Sequence, residues 1–175
     1  MRRGQVWIET VLYTLIGIAL IGVVLAFVTP KINQQKDNLL IQQTIQSLDS
    51  IDQKISAVLQ APGNSRQIQF SMKRGSFYIN STEDSLIFII DDLSKPYSEP
   101  GVEIPIGRIN LLTQEDQNSY SVILKINYNE DIRYNLEEEN QKLDPVAIPY
   151  RISISNEGII ENGGRTVINI NEVSG

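Results

Sequence analysis

The sequence predicts an α+β protein in which one long N-terminal helix, membrane-spanning and then amphipathic, precedes an antiparallel, sandwich-like β-rich head. Residues 10–29 form an apolar run without a charged side chain, and residues 31–61 continue it with apolar residues at helical spacing. Beyond Ser65, short runs of alternating apolar and polar residues are separated by turn residues. The change of period, from helical to alternating, places the border between helix and head near residue 62.

Composition excludes several classes of function. The chain has 175 residues, of which 41% are hydrophobic and 21% charged, so we expect most of it to be ordered. Its net charge of −6 disfavours nucleic-acid binding, which needs a basic surface to meet phosphates. The absence of cysteine and histidine removes disulfides, thiolate and imidazole metal ligands, and the commonest catalytic bases. We therefore expect a protein that is not an enzyme and that uses no metal or cofactor.

The apolar run has the length of a membrane span. At about 1.5 Å per residue, a helix over residues 10–29 covers roughly 30 Å, the thickness of a bilayer core. No small-residue cleavage pattern follows the run, so the segment is expected to stay with the mature protein. Arg2 and Arg3 precede the run, which favours a single-pass protein with a cytoplasmic N-terminus and an external head.

The residues before the run, RRGQVWIE, have an unusual order. A protease that cut after Gly4 would make Gln5 the first residue and Glu9 the fifth, directly before the apolar helix. This arrangement of Arg2, Arg3, Gly4 and Glu9 resembles the type IV pilin family. The leader of four residues and the Gln that follows it are similar to the archaeal branch, which includes adhesive pilins and archaellins.

The resemblance implies a division of the chain and a set of partners. Residues 1–4 would be a class III leader peptide, removed by a prepilin peptidase after Gly4, and residues 5–30 the membrane and filament-core helix. An assembly ATPase and a membrane platform protein would then build copies of the chain into an extracellular filament for adhesion or motility. Glu9 would pair with the amino group of Gln5 in a neighbouring subunit and set the axial register.

Two alternatives stay open at this point. The chain could instead be an uncleaved, signal-anchored, single-pass surface protein whose head binds a ligand or partner, with Glu9 an ordinary residue at the membrane border. Pro30 could either kink the helix or mark the outer edge of the membrane.

Residues 31–61 are expected to form an amphipathic stalk helix that ends at Ala61-Pro62-Gly63-Asn64. Asp52 occupies a position where the apolar stripe would otherwise continue. The stripe is expected to pack on the head of the same chain, and a coiled coil with other copies is the alternative. Two rows of apolar side chains make up this stripe: Ile41, Ile45, Leu48, Ile55 and Leu59, and beside them Leu40, Ile51 and Val58.

The head domain, residues 65–175, is expected to consist of short strands. Turns are expected at Asn156-Glu157-Gly158 and at Asn162-Gly163-Gly164, and long loops at 94–105 and 137–144. The predicted strands are 67–72, 76–80, 85–91, 106–112, 120–128, 132–136, 149–155, 158–160 and 165–170.

Candidate sites in the head are few. Acidic clusters near residues 91, 115, 130 and 137 lack the spacing of a calcium-binding loop, and we interpret them as solvated surface. Asn80-Ser81-Thr82 matches the N-glycosylation pattern, which makes Asn80 a candidate acceptor, although such triplets also occur by chance.

Overall fold

The computed structural model describes residues 3–160 and 164–173, with side chains from Trp7 onward. Its first element is a single helix, α1 (Arg3–Val58), which contains Pro30 in its interior. The long N-terminal helix is therefore confirmed, and Pro30 does not end it. The helix stops three residues before the predicted end at residue 61, and Gly63 in the following turn adopts a φ of +82°.

In the described part of the chain ten strands follow the helix, which confirms the α+β class and the β-rich head. They are β1 (Ser65–Phe70), β2 (Ser76–Asn80), β3 (Ser85–Leu93), β4 (Glu103–Ile106), β5 (Ile109–Glu115), β6 (Tyr120–Asn127), β7 (Asp131–Tyr134), β8 (Gln141–Leu143), β9 (Tyr150–Gly158) and β10 (Val167–Glu172).

The strands form two sheets. A six-stranded sheet has the order β4-β5-β6-β3-β2-β8 and is antiparallel throughout. A four-stranded sheet has the order β1-β9-β10-β7 and is antiparallel except for the parallel pair of β7 and β10. The head is thus largely antiparallel, with one parallel pair that the sequence did not indicate.

Five local predictions for the head are wrong. The loops predicted at 94–105 and 137–144 are interrupted, since β4 begins at Glu103 and β8 spans Gln141–Leu143. Residues 156–158 do not form a turn but end the long strand β9, so 158–160 is not a separate strand either. The predicted strand 106–112 is divided between β4 and β5, and Gly107 between them has a φ of +61°. β9 and β10 pair antiparallel, which agrees with the predicted reversal of the chain between these two strands. The predicted turn itself, at 162–164, lies mostly outside the described residues.

The stripe on the second half of α1 packs against the head of the same chain. Five of its side chains are buried, and Leu40, Ile45 and Leu59 are partly buried against the same core. Strands of both sheets, namely β1, β9, β3 and β5, contact the helix. The prediction that the stripe belongs to the core of this chain is confirmed. The five buried residues are Ile41, Leu48, Ile51, Ile55 and Val58.

Aromatic side chains connect the two sheets. Phe70 on β1 meets Phe77 on β2 edge to face, with ring centroids 5.5 Å apart, and stacks on Tyr150 of β9 at 5.6 Å. Phe77 also contacts Phe88 of β3 at 6.0 Å. Because Phe70 and Tyr150 belong to one sheet and Phe77 and Phe88 to the other, this cluster holds the sheets together over a shared core.

The C-terminal end of α1 is fixed by Asn156, a residue that the sequence places in a turn. Its side-chain nitrogen donates to the carbonyl of Val58 at 3.0 Å, and its side-chain oxygen accepts from the backbone nitrogen of Gly158 at 2.9 Å. The backbone of Gly63 donates to the carbonyl of Asn156 at 2.7 Å. Asn156 thus satisfies one of the carbonyls left open at a helix end and joins the helix to β9.

We expect Ile55→Ala to lower the free energy of unfolding of the head by about 2–5 kcal/mol, because it leaves a cavity in the core. The matched control is Ile16→Ala, which removes the same atoms from an exposed position of the same helix. Thermal or urea unfolding of the full chain in detergent micelles measures both. Equal losses in the two variants would contradict the assignment of the core to the second half of α1.

Candidate functional site

The first half of α1 has no cover within the described chain. Residues 7–33, called here the bare half-helix, are exposed at every position except Gly17, which is half-buried. Trp7 is 70% exposed and Phe27 is 75% exposed, and aliphatic side chains are exposed all round the helix between them. A contiguous apolar surface of this size marks an interaction with a membrane or with other protein.

By length and composition, this helix is able to cross a membrane. The candidate span, Trp7–Val58, includes a window with a mean hydropathy of 2.7, and no part of that window is buried inside the protein. A core helix of a soluble protein with such composition would be covered by the rest of its fold. The bare half-helix therefore suits an apolar environment that the chain itself does not supply.

Two threonine hydroxyls in the bare half-helix are satisfied by the helix itself. The hydroxyl of Thr14 donates to the carbonyl of Thr10 at 2.8 Å, and the hydroxyl of Thr29 donates to the carbonyl of Leu25 at 2.7 Å. In hydrocarbon an unsatisfied hydroxyl would be costly, whereas these groups need no outside partner. They are compatible with burial of the segment in lipid or among other helices.

Glu9, unlike these two threonines, has no partner in the described part of its own helix. It is the only charged residue in the range 7–30, and its side chain is exposed. Within the described residues, no hydrogen bond or ion pair satisfies its carboxylate. Burial of an isolated carboxylate in an apolar environment is strongly unfavourable, so Glu9 needs a polar partner once the segment is covered.

The other predicted site residues lie around the beginning of the helix. Arg3, Gly4 and Gln5 are in the first turn of α1, so the peptide bond between Gly4 and Gln5 belongs to a helix end, where fraying is common. Arg2 lies outside the described residues, as do the side chains of residues 3–6. The leader and cleavage site thus remain predictions.

Two buried carboxylates attach the second half of α1 to the head. Asp52 accepts a hydrogen bond from Arg108 at 2.9 Å and another from the hydroxyl of Tyr128 at 3.0 Å. The guanidinium of Arg108 also lies over the ring of Tyr128, 5.1 Å from its centroid. Burial of the phenol, and then the nearby Asp52 carboxylate, raises the pKa of Tyr128 well above its usual range, so Tyr128 stays a hydrogen-bond donor.

The second attachment lies nearer the N-terminal end of the helix. Asp37 forms an ion pair with Arg74 at 2.8 Å and accepts from the backbone nitrogen and the hydroxyl of Ser94 at 3.2 and 3.1 Å. Asp37 and Asp52 are roughly 22 Å apart along the helix at the standard rise. Sequence reasoning did not identify these contacts, although an acidic residue in the stripe at position 52 was a signal that a cation must lie opposite.

The candidate sites in the head have ordinary surroundings. Asn80 is half-buried at the end of β2, and its side-chain oxygen accepts from the backbone nitrogen of Glu83 at 3.0 Å. In the described part of the chain, no group of three or more acidic side chains gathers to hold a metal ion. Arg133 pairs with Asp131 at 2.7 Å and with Glu138 at 2.9 Å, which draws two of the acidic clusters together.

Comparison of the chain with protein families, with curated proteins and with solved structures gives no match.

We expect Asp52→Ala to lower the free energy of unfolding of the head by about 1–3 kcal/mol, because the hydroxyl of Tyr128 is left buried without an acceptor. Asp49→Ala is the matched control, since Asp49 is exposed one turn away and bonds only to Gln53, and its effect should stay within about 0.5 kcal/mol. Urea unfolding in detergent compares the two. A loss in the Asp49 variant as large as that in the Asp52 variant would contradict the role of Asp52.

Proposed function

We propose that this chain is a structural subunit of an extracellular filament of the type IV pilin kind, made first as a membrane-anchored precursor with a cytoplasmic N-terminus. The observation that carries the proposal is the division of α1 into two halves. One half is apolar on all sides and bare, and the other is buried on one side against a β-rich head. In a filament, copies of the bare half-helix cover one another and the heads face water.

The continuous helix supports a filament subunit. The bare half-helix joins the head-bound half without a break, and the ion pairs of Asp37 and Asp52 hold the head at one position on the helix. A subunit that packs laterally with its own copies needs such a fixed relation, because the position of the helix in the core then determines the position of the head on the surface.

Glu9 gives the proposal its chemistry. Cleavage after Gly4 would create an amino group on Gln5, which is protonated near neutral pH and lies one helical turn before Glu9. The amino group of Gln5, from the same or a neighbouring subunit, would then satisfy the carboxylate inside the apolar core. In the uncleaved precursor the same nitrogen is an uncharged amide, so processing itself supplies the partner that Glu9 needs.

An uncleaved surface protein is the second candidate. The length and composition of the helix suit a single-pass anchor equally well. The two candidates differ in the mature N-terminus, in the partners they need, and in the use of Glu9. Only the filament subunit requires a prepilin peptidase, an assembly ATPase and a membrane platform.

We expect the wild-type chain, expressed in cells that carry such assembly machinery, to begin at Gln5, and Gly4→Val to block its cleavage and filament formation. Glycine leaves the peptide bond open to a protease, whereas a β-branched side chain obstructs it. Gly17→Val is the matched control for cleavage, because a Cβ at Gly17 meets nothing within 4 Å. The intact mass of the purified protein identifies the N-terminal residue. It also shows whether the amino group of Gln5 has cyclised onto its own side chain, which would remove the positive charge. A mature wild-type chain that begins at Met1 would refute the proposal.

We expect Glu9→Ala to reduce the amount of assembled filament about 10- to 100-fold, because a charge-assisted hydrogen bond contributes about 1.5–3 kcal/mol. Thr14→Ala serves as the control, since its hydroxyl bonds only within its own helix turn. Electron microscopy and the quantity of sheared filament, normalised to total chain, measure both variants. Undiminished assembly of the Glu9 variant would remove Glu9 from the mechanism.

A further inference from the structure

A positively charged surface lies along α1 where the helix leaves the head. Lys31 and Lys36 lie on the helix, and Lys73 and Arg74 lie between β1 and β2. These four residues are called here the basic collar. Lys31 and Lys36 line one depression of about 330 Å³, and Lys36, Lys73 and Arg74 line a second of about 340 Å³. Because the two depressions share Lys36, the collar is one continuous surface.

The collar carries an excess of positive charge in a chain whose net charge is −6. Its three lysines are exposed, and Arg74 is paired with Asp37 at 2.8 Å. Among the described residues, Asp37 is the only carboxylate that lines either depression. Asp92, on the other flank of Lys36, reduces the excess without cancelling it. The collar therefore attracts a negatively charged partner from outside the chain.

The distance of the collar from the apolar run indicates what that partner is. At about 1.5 Å per residue, Lys31 lies about 3 Å and Lys36 about 10 Å beyond Thr29, the last residue of the run. The headgroup layer on each side of a bilayer is roughly 5–8 Å thick, and a lysine side chain reaches along it to phosphate oxygens. When residues 10–29 lie in a bilayer, Lys31 therefore lies within the headgroup layer, and Lys36 lies just outside it with a side chain long enough to reach it.

Apolar residues between the lysines fit the same location. Ile32 is 48% exposed and Leu39 is 55% exposed, and both line the depression next to Lys31 and Lys36. A surface that alternates lysine with aliphatic side chains is typical of segments at the border between hydrocarbon and headgroups. The ion pair of Asp37 with Arg74 brings the head end of the collar to the same level of the helix.

We propose that the basic collar binds the anionic headgroups of membrane lipids while the chain is anchored in the bilayer. The ammonium groups of Lys31, Lys36 and Lys73 donate to headgroup phosphates, and this contact seats the head on the membrane surface. The proposal rests on membrane insertion of the bare half-helix, which is part of the proposed function, but not on cleavage or filament assembly. The acidic surface of a second copy is the competing partner. Lipid is favoured because the collar meets headgroups as soon as the run is inserted.

Lipid selectivity of the full chain tests the proposal. The protein is reconstituted into phosphatidylcholine bilayers that contain spin-labelled phosphatidylglycerol or spin-labelled phosphatidylcholine. Electron paramagnetic resonance then gives the relative association of the two lipids with the protein. We expect a preference for the anionic lipid of about fivefold or more at low ionic strength, which falls as salt is raised to about 0.5 M. The triple variant Lys31→Gln, Lys36→Gln, Lys73→Gln should lower this preference to near unity.

The matched control removes the same charge elsewhere. Lys54→Gln, Arg66→Gln, Lys125→Gln changes three cations away from the collar and should retain the preference. Equal association of both lipids with the wild-type chain, or an undiminished preference in the collar variant, would overturn the proposal. The proposal would also be overturned if the collar variant differed from wild type only in a weaker association between chains in neutral bilayers. The partner of the collar would then be a second copy of the chain. The Gly4→Val variant, which is expected not to be cleaved or assembled, should keep the wild-type preference for anionic lipid. Lipid binding by the collar is thereby tested separately from filament assembly.

Discussion

The contact between the second half of α1 and the head is the constraint on which the rest of the structure depends. The apolar stripe supplies the burial, and Asp37 and Asp52 supply the position. A shift of the helix by one turn would still bury aliphatic side chains, but it would take both carboxylates away from Arg74 and Arg108. Both carboxylates are buried although their arginines are partly exposed, and a buried carboxylate without its hydrogen bonds is unfavourable, so the attachment favours one register.

This attachment determines what the first half of the helix is able to do. The head covers α1 only from about Asp37 to the C-terminal end of the helix. The bare half-helix therefore projects from the head along the same helix axis, with no linker between them. Its apolar surface must be covered by lipid or by other helices, and the orientation of the head follows from the way it is covered. In the proposed function, membrane anchoring and assembly with other copies would therefore be two uses of one surface.

Much of this fold could be predicted from the sequence, because its strongest signals are local. The uncharged run, the stripe of period 3.6 and the alternating strands each follow from neighbouring residues. The parallel pair of β7 and β10 could not be predicted, since it depends on how distant segments meet. The prediction of a turn at residues 156–158 was wrong because the conformation of these residues also depends on a contact between distant segments. Asn156 has turn-forming chemistry, but here its side chain caps the distant end of α1 at Val58.

The candidate site shows the same limit. An acidic residue in an apolar row is a visible signal, and it states that a partner exists without naming it. For Asp52 the partners are Arg108 and Tyr128, which lie 56 and 76 residues away in the sequence, so only the folded chain identifies them. Glu9 carries the same signal on the bare half-helix, yet the described residues hold no partner for it. The physical requirement is identical in the two cases. In the proposed function, the partner of Glu9 would come from the N-terminal residues of the chain, from the membrane border or from another copy, and none of these belongs to the described head.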